Sequence, residues 1–391
     1  MKDETKIINS GRNIQFTHRA INPIVQRTSS IIFNSIAQKK HAAKNYKNGE
    51  LFYGRYGTLS HFSLQKSMIE LENGSGCMLF PCGTAAITHT IFAFITYGDH
   101  ILITESAYAP TQNFCRFLLN KMNVHTTWFH SSISNNITNL IQHNTKLIIL
   151  ESPGSITMEV QDIPTLIQAT RKKKPDIIIL LDNTWSSGVF LKALDIGVDI
   201  SIQSGTKYII GHSDGMMGTA VSNARCWNTL QEQSYLMGQT IDADTAYIAA
   251  RGLRTLYVRL KQHEKTGLHL AQWLNNHPKV DRVNHPALPS CQGHKYFIRD
   301  FTGSSGLFSF ILKKRLTDKQ LSNFLDNMKY FKMAYSWGGF ESLITTMQIE
   351  ELNSIRPINK LNFTGTLIRI HAGLEHQEDL IQDLSDGLNR I

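Results

Sequence analysis

The segment Asp176-Ile177-Ile178-Ile179-Leu180-Leu181-Asp182 places five consecutive aliphatic residues between two acids. A run with no polar face is the pattern of a strand buried on both sides of a parallel sheet. Further strand-type segments, some alternating or with polar ends, occupy 78–80, 99–104, 146–150, 198–203 and 215–221. Between them, 64–71, 113–122 and 164–173 repeat apolar residues at helical spacing, and Pro81-Cys82-Gly83-Thr84 opens a further helix that runs to about Ile95. This alternation predicts an α/β fold, with a mostly parallel central sheet and helices on both faces. Residues 243–253 read as a helix. Leu256, Leu260, Gly267, Leu268, Ala271 and Leu274 trace a second, long one. Beyond it the pattern becomes α+β: strands at 306–312 and 366–371, a capping box Thr317-x-x-Gln320 opening a helix, and an amphipathic helix over 378–388. Residues 1–57 lack any sustained period. The expected organisation is therefore an N-terminal arm (1–57), a main domain (58–253) and a smaller α+β C-terminal domain (254–391).

Composition narrows the function classes. A chain of 391 residues, 41% hydrophobic and 18% charged, is long enough for two domains and too apolar for large-scale disorder. The formal charge of +9 raises the question of a nucleic-acid partner. The charges are scattered, however, and the densest run, Arg171–Lys174, ends a predicted helix, where cations suit the dipole. No helix-turn-helix, zinc-finger or RNA-binding signature, P-loop or metal-spaced Cys/His set is present, so neither a nucleic-acid partner nor a metal is expected. The five cysteines are odd in number and widely spaced, which suits reduced thiols in a cytoplasmic protein; Cys82 reads as packing. The N-terminus is too charged for a signal-peptide core, and no apolar run reaches the ~18 residues of a membrane span.

Candidate chemistry centres on Ser204-Gly205-Thr206-Lys207-Tyr208-Ile209-Ile210-Gly211-His212-Ser213. A lysine in a loop is ordinarily a solvated surface residue. Lys207 instead follows a strand-type run and is flanked by small and apolar residues. Desolvation there lowers an amine's pKa and makes it nucleophilic enough to form a Schiff base. Asp182 closes a buried strand, at the end where open α/β sheets bind ligands. A buried carboxylate needs a cationic partner, and a protonated pyridine nitrogen would serve. A pyridinium together with a Schiff-base lysine is the chemistry of pyridoxal 5'-phosphate, PLP. Gly83, just ahead of a helix, would let backbone and helix N-terminus approach a phosphate. Alternation along 366–371 puts Leu367, Arg369 and His371 on one strand face. Arg369 there reads on its own as a structural ion pair, or as a fork for a ligand carboxylate.

With Asp199, Thr206, Gly211 and His212 in place around it, the Lys207 stretch resembles the lysine signature of the Cys/Met-metabolism family of PLP enzymes, of fold type I. The resemblance spans essentially the whole chain. It is nearest to bacterial members that act on cystathionine by β-elimination, through Phe52-Tyr53-Gly54-Arg55, Glu151-Ser152-Pro153-Gly154-Ser155 and Tyr335-Ser336-Trp337-Gly338-Gly339. It implies PLP bound to Lys207, the catalytic base, with Asp182 on the ring nitrogen. Gly83, Thr84, Ser204 and Thr206 would hold the phosphate, joined by Tyr53 and Arg55 from a neighbouring subunit. Tyr108 would lie against the ring with its hydroxyl near the reacting amine. Arg369 would grip the substrate carboxylate, with Tyr53, Ser336 and Trp337 lining the substrate pocket. The implied assembly is a homo-oligomer, a tetramer built as a dimer of dimers. The sequence departs from common family patterns at Gly54, at Tyr56-Gly57-Thr58-Leu59, at Thr84, at Gly154-Ser155-Ile156, and at His371, where serine is frequent.

The implied reaction converts L-cystathionine to homocysteine, pyruvate and ammonia, a step of methionine biosynthesis, with cysteine and cystine as further sulfur amino acid substrates. The alternative within the family is a cystathionine γ-synthase or γ-lyase. Trp337 stands where many γ-acting members have Leu, and its indole would restrict the site to β chemistry. Outside the family, the remaining reading is a basic protein that binds an anionic partner.

Overall fold

The computed structural model describes residues 2–356, 358 and 360–391; Met1, with which the expected arm begins, Pro357 and Asn359 lie outside the described residues. The strands, in chain order, are β1 (Gly76–Phe80), β2 (His100–Thr104), β3 (His125–Phe129), β4 (Thr145–Glu151), β5 (Ile178–Asp182), β6 (Ile200–Gln203), β7 (Gly218–Ser222), β8 (Val280–Asn284), β9 (Leu307–Leu312), β10 (Lys332–Met333), β11 (Leu343–Met347) and β12 (Leu367–His371). The chain divides into two compact units, 1–96 with 187–257, and 97–186 with 258–391.

In the first unit the strand order is β1-β7-β6, antiparallel throughout. The helix Leu59–Glu72 buries Leu64, Met68 and Leu71. It is capped at its start by His61, whose Nδ1 accepts the Thr58 N–H at 3.1 Å, the place a Glu or Gln takes in the usual capping box. It stops at Asn73, which turns left-handed at φ 57. The helix Gly83–Ala93 follows β1 directly. The first 57 residues are less irregular than their pattern predicts, with helices at Asp3–Asn9, Ile14–Thr17 and Ile36–Asn45. The last of these buries only Ala42. It rests on a Ser35 cap that accepts from the Gln38 N–H, and on strong helix formers (Ala, Lys, Gln), so it shows no apolar stripe. The two helices expected over 243–253 and 256–274 are one helix of 33 residues, Ala243–Asn275, since no breaker lies between them.

The second unit holds a parallel sheet in the order β5-β4-β2-β3. Helices Ala109–Asn113 and Ile163–Lys173 supply two of the crossovers. The first of these starts earlier than expected because Pro110 favours its opening turn, and it continues as a π-helical turn over Phe114–Leu119. The same unit carries a five-stranded sheet, β10-β11-β12-β9-β8. One face of that sheet presents Phe308, Phe310, Ile368 and Ile370 to Leu380, Leu384 and Leu388 of the helix Gln377–Asn389 and to Phe324 of the helix Asp318–Leu325. The Thr317/Gln320 capping box forms as expected. The α/β class expected from the sequence is what the chain adopts. Its strands are mixed in direction because β7 runs antiparallel to both its neighbours. Among the described residues no helix is long and apolar enough to cross a membrane, and all five cysteines are free.

Candidate active site

The residues singled out by the sequence occur in both units. In the first, β6 leads into a tight turn at Ser204–Gly211. It is closed by Lys207 N–H to the Ser204 carbonyl at 3.0 Å, Ile210 N–H to Gly205 at 2.9 Å and Gly211 N–H to the Lys207 carbonyl at 2.9 Å. Gly211 sits at φ 71, open to glycine at no steric cost. Tyr208, Ile209 and Ile210 are buried, so the lysine's backbone is fixed by an apolar anchor. Thr206 pins the turn to β7's approach: its hydroxyl donates to the Met217 carbonyl at 3.1 Å and accepts the Met217 N–H at 3.0 Å. The other motif residues are structural. Asp199 accepts from the Asn223 side chain at 2.9 Å, and the His212 ring N–H donates to the Ile210 carbonyl at 2.7 Å.

The turn lies against the start of the helix Gly83–Ala93. A Cβ at Gly83 would sit 2.5 Å from Ser204 Cβ, so only glycine permits this approach. In the first turn of the helix, the N–H groups of Gly83 and Thr84 have no intrahelical acceptor, and the positive end of the dipole faces the same way. Backbone donors beside the Ser204 hydroxyl fit a phosphate, which is the part of PLP this unit would hold. Arg55 is tied down within the unit. One guanidinium nitrogen donates to the Tyr235 carbonyl at 3.0 Å, another to the Tyr56 hydroxyl at 2.6 Å, and the guanidinium lies 4.2 Å from the Tyr56 ring centre. Tyr56, one of the departures from the family pattern, thus orients Arg55, a role the sequence did not reveal. Tyr53 is exposed.

In the second unit the parallel register brings acids together at the carboxyl ends of the strands. Asp182 ends β5 directly beside Glu151, which ends β4. Thr184 orients the Asp182 carboxylate through its N–H at 3.0 Å and its hydroxyl at 2.5 Å, both to Oδ1. Glu151 accepts the Tyr108 N–H at 2.6 Å and so positions that residue's backbone. Burial, reinforced by the Asp182 charge, pushes the Glu151 carboxyl well above the usual range, against the opposing pull of the Tyr108 N–H. Glu151 was not among the expected site residues. The signal was the same as for Asp182, an acid closing a buried strand.

Arg369 lies mid-strand in β12, half-buried, as alternation predicts. Its guanidinium donates to the Ser336 carbonyl at 3.4 Å. Burial lowers its pKa, opposed in part by the phenols of Tyr108 and Tyr335. Among the described residues no carboxylate pairs with it, which removes the structural ion pair as an account of its presence. Ser336 and Trp337 lie on the loop this arginine touches, and both are half-buried.

The sequence profile described as Cys/Met metabolism PLP-dependent enzyme matches residues 4–389. The chain is 58% identical to a cystathionine beta-lyase of Salmonella typhimurium, covering 99% of this chain and 98% of that one. It is 58% identical to a cystathionine beta-lyase of Escherichia coli, covering 100% and 99%. Among solved structures, the cystathionine gamma synthase of Xanthomonas oryzae superposes with a TM-score of 0.90 at 27% identity, over 100% of this chain and 98% of that one.

Proposed function

Because the chain belongs to the Cys/Met metabolism PLP-dependent enzyme family, we propose that it cleaves the Cβ–S bond of L-cystathionine by β-elimination, in the methionine-biosynthetic direction. The protein is a PLP-dependent carbon–sulfur lyase. Cystathionine and water yield homocysteine, pyruvate and ammonia. The 58% identity to cystathionine beta-lyases over nearly full length is the observation that carries the choice of β over γ chemistry.

PLP, when bound, supplies the electron sink that makes the Cα proton removable. Gly83, Thr84 and Ser204 would form the cradle for its phosphate, Thr206 would join it by turning its hydroxyl away from the Met217 carbonyl, and Asp182 would pair with its ring nitrogen. Lys207 holds the cofactor at rest, then takes the Cα proton at Nζ and delivers it to the departing sulfur. Arg369 binds the substrate α-carboxylate through its fork, and the lack of a carboxylate partner for it among the described residues supports this role. Tyr108, held through its backbone by Glu151, would lay its ring against the cofactor's with its hydroxyl near the reacting amine. Tyr53, Ser336 and Trp337 complete the substrate pocket.

The proposal extends to the assembly. The arm, 1–57, would reach a second copy and bring Tyr53 and Arg55 to its phosphate site, Arg55 exchanging its contact with the Tyr235 carbonyl for the phosphate; 58–253 binds PLP and 254–391 forms the C-terminal domain. The exposure of Ile14, Ile21, Ile32 and Ile36, at 66–87%, supports an arm that is covered by another subunit. A tetramer built as a dimer of dimers and a cytoplasmic location belong to the same reading.

The test is product analysis. Purified protein with PLP and L-cystathionine should release pyruvate and homocysteine; 2-oxobutyrate with cysteine would instead assign a γ-lyase. In parallel, Lys207→Ala should lose both the visible cofactor absorbance and turnover, and retention of both would remove Lys207 from the mechanism.

A further inference from the structure

Two residues beyond Arg369, and on the same face of β12, His371 is 1% exposed. Its Nε2 lies 3.1 Å from the Gly339 carbonyl. A carbonyl only accepts, so Nε2 carries the proton and the ring is fixed in that tautomer. Behind it stands His263, with ring centres 5.0 Å apart. His263 in turn donates from Nδ1 to the carbonyl of Ala372, at 2.8 Å. The His371 ring is therefore boxed in, and its hydrogen bond is held in place by packing.

What it holds is the bend that carries Ser336 and Trp337. Two positions of that bend are left-handed, Ser336 at φ 80 and Gly338 at φ 88. For serine this conformation is strained and persists only where its surroundings enforce it. The enforcement comes from β12 and its exit. Arg369 binds the Ser336 carbonyl, His371 the Gly339 carbonyl, and the Leu374 N–H the Phe340 carbonyl at 2.8 Å. Ser342 donates to Glu375 from both its N–H and its hydroxyl, each at 2.8 Å. One strand thus supplies the carboxylate-binding arginine and fixes the loop opposite it.

We propose that His371 is a positioning residue for substrate binding: by holding the Gly339 carbonyl it sets Ser336 and Trp337 against the substrate whose carboxylate Arg369 binds. This rests on the reading of Arg369, Ser336 and Trp337 given above.

Three variants test it. His371→Phe keeps the ring volume and removes the donor; His371→Asn is too short to reach; His371→Gln keeps a donor of similar reach. Hydrogen–deuterium exchange of a peptide covering 335–341 reads the loop directly, without reference to turnover. In the Phe and Asn variants that peptide should exchange faster. KM for L-cystathionine should rise about 3- to 10-fold, the scale of one lost hydrogen bond. The kcat and the PLP dissociation constant should stay within about two-fold, because neither depends on this bend. His371→Gln should restore both exchange and KM toward wild type. The inference is overturned if the exchange of this peptide is unchanged in the Phe and Asn variants, or if it accelerates while KM stays constant. It is also overturned if Gln behaves like Phe, which would mark a purely packing role. Failure of the underlying site reading is separate: it appears in the wild type alone, as cystathionine that yields no pyruvate.

Discussion

Replacing Arg369 by Leu separates two roles that predict opposite measurements. If the guanidinium served the fold as half of a buried ion pair, its removal would strand a charge and cost about 3–5 kcal/mol of stability. Among the described residues there is no such partner. Its hydrogen bond to the Ser336 carbonyl is 3.4 Å long, at the weak end of the range, and burial already disfavours its charge. Loss of that contact, offset by relief of desolvation, should change stability by less than about 1 kcal/mol. The cost should appear on binding instead. A charged hydrogen bond to a carboxylate is worth about 1.5–3 kcal/mol, which corresponds to roughly a 10- to 150-fold loss of substrate affinity. The assay couples pyruvate release to NADH oxidation by lactate dehydrogenase across a range of L-cystathionine concentrations, with a thermal melt and a PLP titration on the same preparation. The expected result is a large rise in KM with the melting temperature and PLP affinity near wild type. A melt lowered by many degrees with KM unchanged would make Arg369 a structural residue and refute the reasoning.

Two further outcomes follow from the geometry. Gly83→Ala should weaken PLP binding by well over ten-fold in an equilibrium titration of the apoprotein, because the new Cβ would have to displace Ser204 from the phosphate cradle; ordinary affinity would show that the helix start and the Ser204 turn do not act together. Stability should fall as pH drops below about 6.5. Burial lowers the pKa values of His100 and His263 to about 4 and of His285 to about 3, so the unfolded chain takes up protons in this window that the folded protein refuses. Melts from pH 7.5 to 4.5 measure the slope, which should be shallower in His285→Gln; a flat profile would contradict the burial of these rings.

The strand-end chemistry was legible because burial on both faces leaves no alternative reading. Of the five aliphatic residues before Asp182 all but the half-buried Ile178 are interior, and the acid that follows them then lies at the carboxyl end of the strand. Lys207 stood out for the same reason, as a cation in a stretch whose neighbours Tyr208, Ile209 and Ile210 are buried. Direction was not legible: the apolar run of β7 has the pattern of its parallel counterparts, and pattern does not encode polarity. Strand β3 was missed because it is an edge strand, His-Thr-Thr-Trp-Phe, and only Phe129 of it is fully buried. His371 was placed on the right face but without a role, since its partner Gly339 lies 32 residues away and offers only a backbone carbonyl, which no side-chain pattern announces. The Arg55–Tyr56 pairing was hidden by the departure from the family pattern that produces it.

Glu151 shows how the second unit assigns charge at its sheet edge. Parallel pairing in register sets Glu151 and Asp182 side by side, and two carboxylates that close together in a partly desolvated site do not both ionise readily. The two are distinguished by what donates to them. Thr184 gives Asp182 two hydrogen bonds to one oxygen, which stabilise an anion. Glu151 receives a single backbone N–H, and burial together with the neighbouring charge raises its pKa. Asp182 is the residue proposed to face a pyridinium. Glu151 tethers the backbone of Tyr108 without adding a second anion.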